Sequence, residues 1–211
     1  MIVVHHLNNS RSQRILWLLE ELGLPYEIKP YQRDSQTRLA PPELKKVHPL
    51  GKSPVITDGT RTIAESGAII DYVIRRHGAG RLQPAPETSA YDEYQQWMHF
   101  AEGSAMTQFL MHLFLGGYIP GVDQSQPIVA GTKERTAALL KHLDGHLAEQ
   151  SYFAGAEFTA ADIMMLYSFG IVRGVLHTDM ALYPHLNAYI AGIEDRPAYK
   201  KAMAIAAEPP A

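Results

Sequence analysis

Cysteine is absent from the 211-residue sequence. Its absence excludes disulfide bonds, zinc sites with cysteine ligands and catalysis by a thiol of the protein. Any sulfur chemistry that this protein carries out must therefore use a sulfur atom that a substrate supplies.

Excess positive charge and long apolar runs are also missing. The net charge is −3 and the isoelectric point is about 6.4, whereas nucleic-acid binding needs basic residues that neutralise phosphates. No apolar run approaches the roughly 20 residues that span a bilayer, and the N-terminal residues lack the pattern of a signal peptide. We therefore predict a cytoplasmic protein that binds neither nucleic acid nor membranes.

The first eighty residues alternate between strand and helix patterns. An Asp58-Gly59 pair predicts a tight turn between two short strands, and Gly23 followed by Pro25 predicts the end of the first helix. The resulting order, β-α-β-α-β-β-α, predicts an α/β domain. Its strands are expected at 2–7, 26–31, 55–57 and 61–64, and its helices at 12–22, 41–47 and 65–77.

Strand patterns nearly vanish after the glycines and prolines of residues 78–86. Thr159 with Asp162 three residues later is a capping box, which we interpret as a structural helix start. We therefore predict an α/β domain at 1–80, a linker at 81–87 and an all-helical domain at 88–211. The helices of the second domain are expected at 88–116, 126–149, 159–176, 183–193 and 197–206.

Four motifs follow one another in the chain. They are Asn-Asn-Ser-Arg-Ser-Gln-Arg at 8–14, His-Pro-Leu-Gly-Lys-Ser-Pro-Val-Ile at 48–56, Ala-Glu-Ser-Gly-Ala-Ile at 64–69 and Phe-Thr-Ala-Ala-Asp at 158–162. Together they resemble the cytosolic glutathione transferases, closest to the serine-type, theta-like bacterial and fungal branch, with His48 in place of the usual Asn. The resemblance covers nearly the whole chain. It implies a thioredoxin-like N-terminal domain followed by an all-helical C-terminal domain.

The resemblance also implies a function. A member of this family is expected to be a cytoplasmic homodimer active in detoxification, which binds glutathione, stabilises its thiolate and conjugates or reduces small hydrophobic electrophiles. Two alternatives remain open. The same site could carry out glutathione-dependent reduction of disulfides or peroxides, or the chain could be a non-catalytic binding or scaffold module.

Ser10 is the residue expected to stabilise the thiolate, because the resemblance places the thiolate-stabilising group at this strand-to-helix turn. Ser10 could instead act only as a helix cap, since serine is common at that position. Asn9 and Arg11 are alternatives for the catalytic role, and Ser12 is a weaker third option.

The resemblance assigns glutathione binding to the second and third motifs. Pro54 is expected to be cis, so that the backbone of Ser53 pairs with the cysteinyl unit of the peptide. Lys52 is expected to meet the glycyl carboxylate, while Glu65 and Ser66 are expected to hold the γ-glutamyl group. Considered separately, Lys52 could be a solvated surface charge and Glu65 a first-turn acid that complements a helix dipole.

The helical domain is expected to carry the electrophile pocket. A stripe of methionine and aromatic residues is more often ordinary core, so this assignment depends on where the family places its hydrophobic site. The expected lining residues are Met106, Phe109, Leu110, His112, Leu113 and Tyr118.

No metal site is expected, although the sequence contains ten histidines. His5 and His6 are adjacent in a strand, so their side chains should point to opposite faces. His142 and His146 have the spacing of metal ligands on a helix, but the Glu of a His-Glu-x-x-His motif is missing. We interpret this second pair as exposed helix residues.

Overall fold

A computed structural model describes residues 1–207 of the chain. The chain divides into two compact units. The first contains Met1–Leu82 together with the described residues from Glu194 to Ala207, and the second contains Gln83–Ile193.

The first unit is built on a four-stranded sheet with the order β2-β1-β3-β4. β1 pairs in parallel with β2 and antiparallel with β3, and β3 pairs antiparallel with β4. The strands are β1 Ile2–Leu7, β2 Tyr26–Tyr31, β3 Val55–Asp58 and β4 Arg61–Ala64, and the helices between and after them are α1 Ser12–Leu22, α2 Leu44–Val47 and α3 Ser66–Arg76. This arrangement confirms the predicted thioredoxin-like β-α-β-α-β-β-α order.

Helix α1 forms because its apolar residues recur at helical spacing. Ile15, Leu16, Leu18 and Leu19 are all fully buried, so one broad face of the helix packs into the core. The helix ends at Gly23, which has a left-handed φ of 62° and donates its backbone N–H to the Glu20 carbonyl. A residue without a side chain adopts that conformation at the lowest cost.

A last helix, α9 at Pro197–Ala207, packs against α1. The rings of Trp17 and Tyr199 meet edge to face at 5.1 Å, and the Arg196 guanidinium donates two hydrogen bonds of 2.7 and 2.8 Å to the Glu21 carboxylate. The last helix therefore belongs to the first unit. This differs from the predicted boundary, which placed all of 88–211 in one helical domain.

The second unit is helical throughout its ordered elements, as predicted. The region expected as one helix at 88–116 is a continuous helical path in which α-helices alternate with π-helical turns. The elements are α4 Ser89–Phe100, a π-helical segment Ala101–Met106, α5 Thr107–Leu113, a second π-helical segment Phe114–Tyr118, α6 Pro127–Glu149, α7 Ala160–Gly174, a 3-10 turn Met180–Leu182 and α8 Pro184–Glu194.

The start of α7 is the most heavily bonded helix terminus of the second unit. The Thr159 hydroxyl accepts from the N–H of Ala161, and the Asp162 carboxylate accepts from the N–H of Thr159 at 2.8 Å. Asp162 also accepts from the Phe153 N–H at 3.0 Å and from the Tyr189 hydroxyl at 2.8 Å. The predicted capping box is therefore confirmed, and its carboxylate joins three segments of the unit.

Candidate functional site

The turn between β1 and α1 is held in place by Arg33, a residue that no sequence motif pointed to. Its guanidinium donates to the carbonyls of Asn8 at 3.1 Å and of Asn9 at 3.3 Å. Its backbone N–H also donates to the Asn8 side chain at 2.8 Å. These bonds stabilise Asn9 in a left-handed conformation with φ of 50°, so the position of the following Ser10 is fixed.

Ser10 lies in a cluster of three serine hydroxyls. Its Oγ is 2.8 Å from the Oγ of Ser12 and donates to the Oγ of Ser53 at 3.1 Å. The backbone N–H of Ser12 donates to Ser10 Oγ at 3.3 Å, and the Ser53 hydroxyl donates to the His5 carbonyl at 3.2 Å. Ser10 and Ser12 are buried, whereas Arg11 is half-buried and Asn9 is exposed. The structure therefore brings together one predicted catalytic residue and one predicted binding residue.

His6, which the sequence brings to attention only as a possible metal ligand, extends this cluster. Its Nδ1 is 2.8 Å from Ser12 Oγ, and its Nε2 is 3.2 Å from the Ala206 carbonyl. Burial lowers the pKa of the His6 imidazole, and the hydrogen bond with Ala206 opposes that shift. His6 is therefore a neutral ring at pH 7.

His5 lies on the other face of the sheet, as its position in the strand predicts. Its Nδ1 is 3.0 Å from the Tyr31 hydroxyl on β2, and its Nε2 is 3.4 Å from the Thr57 hydroxyl on β3. Only the backbone carbonyl of His5 reaches the serine cluster. The two adjacent histidines therefore have different environments, and this makes them a matched pair for experiments.

The turn that precedes β3 needs the conformation and the small size of Gly51. Its φ is 58°, and a Cβ atom added there would lie 2.8 Å from Lys45 Cγ. The Gly51 N–H donates to the His48 carbonyl at 2.8 Å. After this turn the Ser53–Pro54 peptide bond is cis, as the resemblance implied, and Lys52 is exposed.

Glu65 and Ser66 lie where β4 gives way to α3. Glu65 has φ of 71° and ψ of 124°, an uncommon conformation for a residue with a side chain, and its side chain is exposed. Its carbonyl accepts from the N–H of Ile69 at 2.9 Å. Ser66 is buried as the first residue of α3, where helix N–H groups lack partners within the helix and favour an anion.

The six residues expected in the electrophile pocket divide into two groups within the second unit. Met106 and Phe109 have exposed fractions of 1% and 0%, and Phe109 packs on Phe169 with 6.5 Å between the ring centroids. These two residues lie in the core, because the helix buries the face on which its apolar stripe lies. Their role as pocket lining stays a prediction.

The other four residues remain accessible. Leu110, His112 and Leu113 are half-buried, and Tyr118 is exposed beside Phe114, with 5.9 Å between the two rings. His112 Nδ1 is 3.1 Å from the Thr136 hydroxyl. Burial, and then the charge of Lys133, lowers the pKa of the His112 imidazole. These residues combine apolar surface with one neutral polar ring.

Residues 1–207 contain no group of three or more potential ligands that could hold a metal ion. His142 is exposed as expected, whereas His146 is half-buried and bonds to the Phe153 carbonyl at 3.0 Å. None of the helices in this part of the chain combines the length and apolar character that crossing a membrane requires.

Comparisons with known proteins agree with this architecture. The family models described as the glutathione S-transferase N-terminal and C-terminal domains match residues 1–75 and 126–192. Glutathione S-transferase 3 of Schizosaccharomyces pombe is 36% identical, over 94% of this chain and 85% of that protein. A crystal structure of a glutathione S-transferase from Actinobacillus pleuropneumoniae has a TM-score of 0.87 at 34% identity, covering 98% of this chain and 93% of that one.

A relative with a different name is also similar. Elongation factor 1-gamma 3 of Oryza sativa subsp. japonica is 30% identical over 92% of this chain, which covers 46% of that protein. Fold and sequence together define the class as a thioredoxin-like unit followed by a helical unit. The chain belongs to the glutathione S-transferase family and is a glutathione transferase.

Proposed function

We propose that the first unit binds glutathione, that Ser10 stabilises the thiolate of the peptide, and that the thiolate attacks a small hydrophobic electrophile. The observation that carries this proposal is the 3.1 Å hydrogen bond from the Ser10 hydroxyl to the Ser53 hydroxyl. It joins the turn expected to ionise the thiol to the stretch expected to hold the peptide, across 43 residues of sequence.

The energy required for ionisation is within reach of Ser10. A thiol with a pKa of about 8.5 needs roughly 2.7 kcal/mol of preferential thiolate stabilisation to lower that pKa by about 2 units. One hydrogen bond to a charged group contributes about 1.5–3 kcal/mol. Ser10 also accepts the Ser12 N–H and precedes the N-terminus of α1, where the helix dipole favours negative charge. We therefore place Ser10 ahead of Asn9 and Arg11 for this role.

The surrounding residues match the groups of the peptide. Lys52 offers an ammonium to the glycyl carboxylate, and the backbone of Ser53 beside cis Pro54 pairs with the cysteinyl unit. Glu65 accepts from the γ-glutamyl ammonium, while Ser66 donates to the carboxylate of the same γ-glutamyl group. Among residues 1–207, neither Lys52 nor Glu65 forms an ion pair with another side chain, so both charges are available to a ligand.

The electrophile site is proposed on the second unit at the accessible part of the predicted set. Half-buried apolar side chains and an exposed aromatic ring suit a small hydrophobic molecule. The proposed lining residues are Leu110, His112, Leu113 and Tyr118.

Binding to immobilised glutathione, followed by assays with an aryl halide and with a mixed disulfide, tests the proposal. We expect retention on the matrix and turnover of the aryl halide. Turnover of the disulfide alone would favour the reductase alternative. Absence of binding would contradict both enzymatic functions and favour a binding or scaffold module.

Matched variants make the binding test specific. Lys52→Ala and Glu65→Gln should elute at lower concentrations of free glutathione than the wild type. Lys46→Ala and Glu43→Gln are the controls, because both residues are exposed charges near the same turn but have no proposed contact. Equal elution of the two pairs would contradict the assigned binding residues.

We also propose that the protein is a cytoplasmic homodimer, as its family membership suggests. Light scattering at micromolar concentration should give twice the mass of one chain, and fractionation of the native cells should recover the protein with the soluble contents. A monomer at that concentration would contradict the assembly.

A further inference from the structure

A continuous hydrogen-bonded chain connects Ser10 to a base. Ser10 Oγ lies 2.8 Å from Ser12 Oγ, which lies 2.8 Å from His6 Nδ1, and the opposite nitrogen of His6 lies 3.2 Å from the Ala206 carbonyl. Ser10, Ser12 and His6 are all buried. The chain therefore crosses the interior from the proposed thiolate site to helix α9.

The Ala206 carbonyl, the last partner in this series of hydrogen bonds, fixes their direction. A backbone carbonyl only accepts hydrogen bonds, so His6 Nε2 must carry the hydrogen. In the neutral ring Nδ1 is then bare, and the Ser12 hydroxyl donates to it at 2.8 Å in preference to the Leu7 carbonyl, which lies at 3.4 Å. Ser12 Oγ consequently accepts from Ser10 when the single Ser10 proton points to it rather than to Ser53, and the hydrogen bonds then run from Ser10 through Ser12 to His6.

A second branch from Ser10 ends without a base. Ser10 also contacts the hydroxyl of Ser53, which donates to the His5 carbonyl at 3.2 Å. A carbonyl oxygen is not protonated at neutral pH, so this branch orients hydroxyl groups but takes up no proton. The branch that ends at His6 is therefore the one that leads to a proton acceptor.

We propose that His6 is the internal acceptor of the glutathione thiol proton, which it receives through the hydroxyls of Ser10 and Ser12. This inference rests on the proposed role of Ser10. The thiol proton binds to Ser10 Oγ as the S–H bond breaks, the original proton of Ser10 passes to Ser12, and that of Ser12 passes to His6 Nδ1. One S–H bond is broken and one N–H bond is formed, leaving a thiolate and an imidazolium.

The transfer also reverses the direction of the hydrogen bonds, which now run from His6 towards Ser10 and the sulfur. The imidazolium now donates from Nδ1 to Ser12, Ser12 donates to Ser10, and Ser10 donates to the sulfur. Its Nε2–H remains on the Ala206 carbonyl, and a charged donor makes that bond stronger. Hydrogen bonds arranged in one direction polarise one another, so the same step that removes the proton strengthens the contact with the thiolate.

The test is a count of protons released for each thiolate formed. The ultraviolet absorbance of the thiolate gives its amount, and titration calorimetry at pH 7 in two buffers with different ionisation enthalpies gives the protons released. The wild type should release far fewer protons than the thiolates it forms. His6→Asn should release about one proton per thiolate and should raise the pKa of the bound thiol by about 1 unit, or tenfold in ionisation.

The controls separate proton uptake from packing. His5→Asn removes the adjacent buried imidazole on the other face and should keep the wild-type ratio. His6→Gln retains a donor near the Ala206 carbonyl, and Ser12→Ala breaks the chain while His6 remains, yet both should release about one proton per thiolate. Thermal unfolding of each variant establishes that it is folded.

An independent signal comes from nitrogen NMR of the histidine-labelled full chain. The resonance that is missing in His6→Asn identifies His6, and glutathione should move it from the neutral to the imidazolium position. A wild-type ratio of about one, or an unshifted His6 resonance, would overturn the relay while leaving the thiolate role of Ser10 intact. Binding without any thiolate would overturn the proposed function itself.

Discussion

Two buried polar networks, one in each unit, differ in their numbers of hydrogen-bond donors and acceptors. In the second unit the Asp162 carboxylate accepts from the Thr159 N–H, the Phe153 N–H and the Tyr189 hydroxyl, so one acceptor group serves three donors. In the first unit the single proton of Ser10 has two nearby acceptors, the hydroxyls of Ser12 and Ser53.

This difference separates a structural network from one that can rearrange. A carboxylate surrounded by donors has one low-energy arrangement, so it fixes the segments that it joins. A hydroxyl between two other hydroxyls can turn its proton to an incoming anion without leaving a buried group unpaired. We therefore expect mutations of the Asp162 network to change stability and mutations of the Ser10 network to change chemistry.

The largest predicted effect is on stability, in Asp162→Ala. The variant loses a helix cap and leaves three buried donors without their acceptor, so the free energy of unfolding should fall by about 3 kcal/mol or more. Urea unfolding followed by circular dichroism measures this change. The control is Asp179→Ala, an exposed cap whose side chain accepts from Ala181, which should cost about 1 kcal/mol or less. Equal losses would contradict the structural interpretation of Asp162.

Ser10→Ala should affect chemistry strongly and stability weakly. Loss of a hydrogen bond to the thiolate should lower kcat by roughly 10- to 100-fold, while KM for glutathione changes little. Steady-state kinetics and the absorbance of the bound thiolate measure both effects. Ser168→Ala, which removes another buried hydroxyl that donates to the Met165 carbonyl, is the control. An unchanged thiol pKa in Ser10→Ala would move the catalytic role to Asn9 or Arg11.

A smaller effect is predicted at the exposed side of the proposed site. Lys52→Ala should weaken glutathione binding by roughly 5-fold, because solvent-exposed ion pairs contribute about 1 kcal/mol. The kcat value should stay near that of the wild type, in contrast to Ser10→Ala. Binding calorimetry on Lys52→Ala and on the control Lys46→Ala measures the effect. A large fall in kcat with unchanged affinity would contradict this division of roles.

The smallest predicted effect is on the stability of the protein in acid, in a variant of Asp58. Burial opposes ionisation there, but hydrogen bonds from Tyr72 at 2.9 Å and His77 at 2.8 Å outweigh it and lower the pKa of Asp58. A carboxylate with a lowered pKa stabilises the fold above its unfolded pKa of about 3.9, and this stability is lost as pH falls through the folded pKa. Asp58→Asn should therefore show a shallower loss of stability below about pH 4 in acid unfolding. A slope equal to that of the wild type would contradict the assignment.

The elements of the fold could be predicted because their signals are local. Strand β1, helix α1 and strand β2 begin and end where the apolar patterns and turn residues indicated. The position of helix α9 could not, since its contact with α1 joins residues about 180 positions apart through rings and ion pairs that leave no local pattern. Met106 and Phe109 show the related limit, because an apolar stripe does not distinguish a core from an open pocket.

The same limit applies to the site. The motifs that contain Ser10, Ser53 and cis Pro54 could be recognised from short stretches of sequence, and the structure places the two serines in contact. The roles of His6 and Arg33 could not be inferred, because their partners are distant. His6 bonds to a carbonyl that is 200 residues away, and the Arg33 guanidinium donates to backbone carbonyls, which carry no residue identity.

The packing of the last helix on the first helix has a consequence for synthesis of the chain. The β-α-β segment leaves the ribosome early in synthesis, but helix α9, which packs on α1, is complete only when Pro197–Ala207 has been translated. The face of α1 that carries Trp17 therefore lacks α9 while the whole second unit is being synthesised. We infer that the nascent N-terminal unit reaches its final packing only after Pro197–Ala207 has been synthesised, so a chain stalled before that helix would present the apolar face to chaperones.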